Sequence, residues 1–154
     1  MKKQFIFLVV FFLMINCAPN HSTNQNGKNN QQVEYSEERR LNHAIPLTET
    51  YIISSNDDLV KIYSLLKDPN IPRSAPIPSV DFTSESIIVV KPKLSDFPYA
   101  DIEIQSIKNE DSTFFINYKE VENFEFTENK WSNPIVILRV KEQPNKVVLE
   151  KVKN

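Results

Sequence analysis

The sequence predicts an α+β domain: a largely antiparallel sheet of about six strands with one early amphipathic helix. Three observations lead there. Six short apolar or alternating runs are spread over residues 44–154, separated by Pro, Asn, Asp and Ser. Only one stretch there carries helical periodicity. Glycine is nearly absent: the 154 residues hold one, Gly27, where average usage of about 7% gives roughly ten. The turns must therefore be made by other residues.

The elements follow in order. Leu47 to Ile53 reads as a strand. Ser55 to Lys67 reads as the helix, with Ser55 and Asp58 forming an S-x-x-D start signal and Asp57 and Asp58 complementing the positive helix end. Leu59, Ile62, Tyr63 and Leu66 fall at i, i+3, i+4 and i+7 and make one apolar face. Residues 68–79 carry Pro69, Pro72, Pro76 and Pro78 and must be a loop, because proline lacks the donor N–H. Glu85 to Lys91 has a continuous β-branched centre, suits a strand buried on both faces, and is ended by Pro92. Tyr99 to Lys108 alternates, with Ile102 and Ile104 opposite Glu103 and Gln105; Thr113 to Val121 places Phe114, Ile116 and Tyr118 on one face. These two strands read as a hairpin with a four-residue loop, Asn109 to Ser112, since missing glycine disfavours two-residue turns. Ile135 to Val140 and Val147 to Val152 complete the set. Closure of the sheet into a barrel is left open.

Composition excludes whole function classes. No glycine follows residue 27, so the later chain holds no P-loop, GxGxxG fingerprint or GxSxG elbow. His21 and His43 are the only histidines; both are early and 22 residues apart, so no His-based triad or metal site is expected and no cofactor is implied. A single cysteine, Cys17, excludes an internal disulfide, a four-cysteine zinc site and a CxxC pair. Net charge is −2 for the full chain and −4 once residues 1–16 are removed, which gives no basic footprint for nucleic acid.

The N-terminus has its own pattern. Lys2 and Lys3 precede an unbroken apolar run, Phe5 to Ile15, that ends at Asn16-Cys17. Eleven apolar residues suit a signal-peptide core and fall short of the roughly 20 a membrane span needs. The segment resembles a bacterial lipoprotein signal with a relaxed lipobox, Asn16 standing where a small residue is usual. The resemblance implies cleavage after residue 16 and acylation of Cys17, hence a membrane-lipid partner and a cell-envelope location. Two or three acyl chains anchor stably, where one holds only marginally. Ala18 follows the cysteine instead of Asp, so no inner-membrane retention signal is offered and the outer membrane or cell surface is favoured. Residues 18–43 are rich in Asn, Gln and Ser and show no hydrophobic period, which predicts a flexible tether with an r.m.s. span of roughly 25–30 Å. Glu37-Glu38-Arg39-Arg40 reads as a solvated charge cluster or a short helix. The division is thus a signal peptide (1–16), a lipidated cysteine with tether (17–43), and one α+β domain (44–154).

The order of pieces in that domain resembles the PrcB C-terminal domain family, named after an accessory subunit of a bacterial surface protease complex. The matching residues are Val80-Asp81-Phe82 ahead of Ile87-Ile88-Val89-Val90, Tyr99 opening an alternating strand, and Asn133-Pro134 leading into Ile135 to Lys141. The match covers roughly residues 50–152. The family typically carries Gly-Gly-Tyr before the alternating strand; this chain has Phe97-Pro98-Tyr99. The resemblance implies a non-catalytic accessory that binds another envelope protein. For contact residues, the aromatics in two connecting segments are the candidates: Phe97 and Tyr99 in one, Phe124, Phe126 and Trp131 in the other. The plainer reading, favoured because a domain of this size needs its large side chains inside, is that they fold back and cap the sheet ends. The alternative function is a small receptor using the same aromatics for a glycan or peptide. The carboxylates Asp57, Asp58, Asp81, Glu85, Asp96 and Asp101 form no pattern that pairs two for catalysis, and no catalytic residue is assigned.

Cys17→Ala is expected to abolish palmitate labelling and to move the protein out of the detergent phase of Triton X-114. Unchanged partitioning would show that Cys17 carries no lipid.

Overall fold

The computed structural model describes residues 31–42, 44–66, 76–94, 100–123 and 133–153. Among these are eight strands and one helix: β1 (Gln31–Gln32), β2 (Tyr35–Asn42), β3 (Thr50–Ile53), α1 (Asn56–Leu65), β4 (Ser86–Val90), β5 (Ala100–Glu110), β6 (Thr113–Glu122), β7 (Pro134–Val140) and β8 (Lys146–Lys151). They build three layers. Helix α1 covers one face of a sheet of order β2-β7-β4-β3, whose other face packs on a sheet of order β1-β5-β6-β8. Every pairing is antiparallel except β6 with β8. The predicted class is the observed one, with eight strands where six were expected.

The doubly buried sheet explains the apolar runs. On β4, Ile87 and Val89 face the helix while Ile88 and Val90 face the second sheet; on β7, Ile135 and Ile137 face the helix while Val136, Leu138 and Val140 face the second sheet. Such strands need no alternation. Helix α1 starts as read: the Asp58 N–H donates to Ser55 Oγ at 3.2 Å, and Leu59, Ile62, Tyr63 and Leu66 are buried. The first predicted strand shrinks to Thr50–Ile53. Leu47 instead sits in a local turn, its N–H donating to Ile45 O at 2.9 Å, while its side chain packs against the helix-side core.

The tether boundary requires correction. Residues 31–42, assigned to the tether, form β1 and β2, so the folded domain begins no later than Gln31. The charge cluster Glu37–Arg40 is strand, neither helix nor loose chain. This segment pairs first with β5, buries Val33 between the sheets with its N–H on Ile107 O at 2.9 Å, and then pairs with β7 from Tyr35 to Asn42. One stretch of chain thereby belongs to both sheets. No side chain of β2 is fully buried, which is the exposure of an edge strand and the reason it lacks apolar periodicity.

Two further departures come from local geometry. A bulge between Ile104 and Ser106 shifts the phase of β5, so that Ile102 and Ile107, of opposite parity, are both fully buried. The β5–β6 connection has two residues, not four: Glu110 pairs with Thr113, leaving Asp111 (φ 50°) and Ser112 (φ 62°) as the turn. Both are left-handed, as a type I′ hairpin requires. The turn is fixed without glycine because Asn109 Oδ1 accepts from the Ser112 N–H at 3.0 Å and Ser112 O accepts from the Asn145 N–H at 2.8 Å.

A left-handed conformation costs an L-residue about 1–2 kcal/mol, part of which glycine loses again through its freer unfolded chain. Ser112→Gly is therefore expected to stabilise the protein by about 0.5–1 kcal/mol, read as a higher urea midpoint. A lower midpoint would show that the Ser112 side chain contributes more than its backbone strain costs.

Candidate functional site

The end of the sandwich where β4 finishes and β3 and β7 begin carries a depression of about 370 Å³, lined by Leu47, Thr48, Glu49, Lys91, Pro92, Lys93, Leu94 and Asn133. Its walls follow from strand endings. Pro92 stops β4, and the Lys91 N–H pairs with Glu49 O at 2.8 Å, tying the strand end to the segment before β3. Lys91 Nζ donates to Leu47 O at 3.3 Å, and the Asn133 N–H donates to Asn42 Oδ1 at 2.7 Å. Thr48 Oγ1 is occupied by Thr50 O at 2.8 Å. The lining offers two ammonium groups, one carboxylate and one amide beside apolar walls. That chemistry suits a polar segment bearing a carboxylate. Among the described residues that line it, no nucleophile is held by a base.

The most buried charges brace strands. Arg40 Nη1 lies 2.8 Å from Asp101 Oδ1 and also donates to Ile102 O, while its other nitrogens reach Glu37 at 2.7 and 2.9 Å. Burial by itself would lower the Arg40 guanidinium, but Glu37 and Asp101 outweigh it and raise it. Asp101 accepts in addition from its neighbour Ile102 N–H at 2.7 Å and from Asn123 at 3.2 Å. Tyr35 donates to Ile104 O at 3.0 Å, and burial followed by the charges of Glu37 and Glu103 pushes its hydroxyl up. Arg139 forms ion pairs with Glu38 at 2.7 Å and Glu85 at 3.4 Å and donates to Ser79 O at 3.1 Å. A smaller recess of about 210 Å³ lies beside it, lined by Glu34, Tyr35, Ser36, Glu85, Arg139 and Lys141. The buried Glu120 pairs with Lys151 at 2.9 Å.

Four of the carboxylates singled out from sequence, Asp58, Asp81, Glu85 and Asp101, have structural roles. Asp58 caps α1. Asp81, in the Val80-Asp81-Phe82 triplet, builds a turn: Oδ1 accepts from the Thr83 N–H at 3.1 Å and Thr83 Oγ1 at 2.6 Å, and Oδ2 from Ser84 Oγ at 2.9 Å. Those bonds, Thr83 first, hold the Asp81 carboxyl below its usual range. Glu85 closes the same turn by accepting from the Asp81 N–H at 3.2 Å. Among the described residues, no three His, Cys, Asp or Glu gather as a metal site, and no helix is long and apolar enough to cross a membrane.

The predicted contact and lipidation residues, Cys17, Phe97, Tyr99, Phe124, Phe126 and Trp131, lie outside the described residues, as do His21, His43 and Asp96. The described residues that bound the two aromatic segments are Leu94 with Ala100, and Asn123 with Asn133. Leu94 and Asn133 line the depression, and Ala100 and Asn123 adjoin Asp101, which Arg40 reaches from β2 two residues before Asn42, so all four belong to the end that carries it. Lys91, Lys93 and Asn133 are not among the candidate contact residues that the sequence suggests. The signal was the lysine pair around Pro92, read only as the end of a strand. No protein-family model, curated protein or solved structure matches this chain.

Two outcomes are expected. Arg40→Ala leaves the Asp101 carboxylate, 8% exposed, short of its cation; the loss should be about 2 kcal/mol, below the 3–5 of a fully buried pair because Arg40 is one-third exposed. An unchanged urea midpoint would contradict the bracing role. For Asp81, the lowered native pKa means that its stabilisation is complete above the ordinary value of about 3.9 and is lost as pH falls through the lower native value. NMR titration should place the Asp81 midpoint below that of the unfolded chain, and Asp81→Asn should remove this part of the acid limb. An ordinary midpoint would contradict the turn.

Proposed function

We propose that the protein is a bacterial envelope lipoprotein, acylated at Cys17, whose folded domain is a non-catalytic accessory or protein-interaction module. The PrcB-like resemblance extends this to assisting a surface protease complex. The observation that carries the reading is the position of the sole cysteine, separated by one residue, Asn16, from an apolar run of signal-peptide length. Two features of the fold are in keeping with it. Arg40, Arg139, Asp81, Glu85 and Asp101 are engaged in holding strands and turns. The depression and the flanks of both aromatic segments share one end, and on this reading that end is the contact surface.

A second reading, a small receptor for a glycan or peptide, is favoured by the size of the depression, within the range of about 300–1,000 Å³ of small-molecule sites. Pull-down of the tagged, membrane-anchored protein under mild crosslinking separates the two. A stoichiometric envelope protein that is lost on Lys91→Glu with Lys93→Glu supports the module. Absence of a partner, together with a glycan-array signal abolished by Trp131→Ala, supports the receptor. Turnover of a glycan or peptide library would contradict both.

A further inference from the structure

The two ends of the sandwich differ in their relation to the N-terminal chain. Gln31, the first described residue, pairs with Asn109, next to the Asp111-Ser112 turn. Asn109 Nδ2 donates to Glu142 Oε2 at 2.7 Å and Asn145 N–H to Ser112 O at 2.8 Å, so the 109–113 and 142–146 corners form one end with the chain entry. Strand β5 then runs from Asn109 back to Ala100, where the depression lies, a distance of about 30 Å at the usual rise per residue. At most residues 18–30 stand between Cys17 and the folded domain, because β1 and β2 already belong to the sheets. A random-coil chain of 13 residues has an r.m.s. span of about 20 Å, shorter than the roughly 30 Å length of β5.

We propose that in the anchored protein the turn end faces the lipid surface and the depression end forms the outer tip, held away from the headgroups and open to a protein partner. This orientation rests on the reading of Cys17 as the lipid anchor. A polarity follows that the sequence division at residue 44 would not have produced. A tether ending there enters at the far end, since Asn42 pairs with Pro134 beside the depression.

The test uses the full chain with its native acyl groups, reconstituted into phosphatidylethanolamine–phosphatidylglycerol vesicles with rhodamine-labelled headgroups. Cys17 is the sole cysteine and is blocked by acylation, so an added thiol labels uniquely. A donor dye is placed at Asn145→Cys or Lys93→Cys, both exposed positions at opposite ends. Energy transfer to the headgroups is expected to be about twofold greater from position 145 than from position 93, given separations of about 20 and 50 Å. A 40-residue Gly-Ser insertion after Gly27 should shrink the difference, since the longer spacer no longer holds one end close. Equal transfer from both positions, greater transfer from position 93, or a difference untouched by the insertion would overturn the orientation. A protein that does not associate with the vesicles, with or without the label, would overturn the anchoring reading and the orientation with it.

Discussion

The fold depends on one segment, residues 31–42, that belongs to both sheets. Its backbone joins β5 on one side and β7 on the other, with Val33 as the apolar peg between. Its side chains then reach all three layers. Arg40 and Tyr35 cross to carbonyls of β5, Glu38 reaches Arg139 on β7, and Arg39 lies 6.0 Å from the Tyr63 ring of the helix. Where β1 stops covering β5, the carbonyls of Ile102 and Ile104 find side-chain donors from β2 instead of another strand. A polar strand thus closes one side of the sandwich through directed hydrogen bonds and charge pairs, a job that buried apolar surface does elsewhere in the domain.

That division of labour sets what the sequence reveals. Strands β4 and β7 are legible because both faces are buried and their residues, Ser86 and Arg139 apart, are apolar. Helix α1 is legible because its cap and its apolar face are local features. Strand β2 is illegible for the converse reason. Its stability comes from backbone pairing with β7 and from partners 60 or more positions away, such as Asp101 and Ile102 for Arg40. Nothing in Tyr-Ser-Glu-Glu-Arg-Arg-Leu-Asn announces those partners. The bulge at Gln105 and the glycine-free turn at Asp111-Ser112 are hidden similarly, since each is imposed by neighbours: the need to bury Ile107, and the bonds from Asn109 and Asn145.

The candidate site divides along the same line. Asp81 and Glu85 were visible as carboxylates, but their role in a turn follows from contacts with Thr83, Ser84 and Arg139. The depression gathers Glu49, Lys91 and Asn133 from three strand ends distant in sequence, and only the sheet order brings them together. The scarcity of glycine, first a reason to exclude phosphate-binding loops, also has a structural counterpart. The β5–β6 turn is held by side-chain and backbone acceptors where glycine would have sufficed.

The most direct measurement of the central claim compares urea unfolding of residues 31–154 with that of residues 43–154. If the N-terminal segment joins the sheets, the shorter chain loses its cooperative transition or unfolds at a markedly lower midpoint with a smaller m-value. Identical midpoints and m-values for the two chains would contradict it, and would show that β1 and β2 decorate a domain already closed without them.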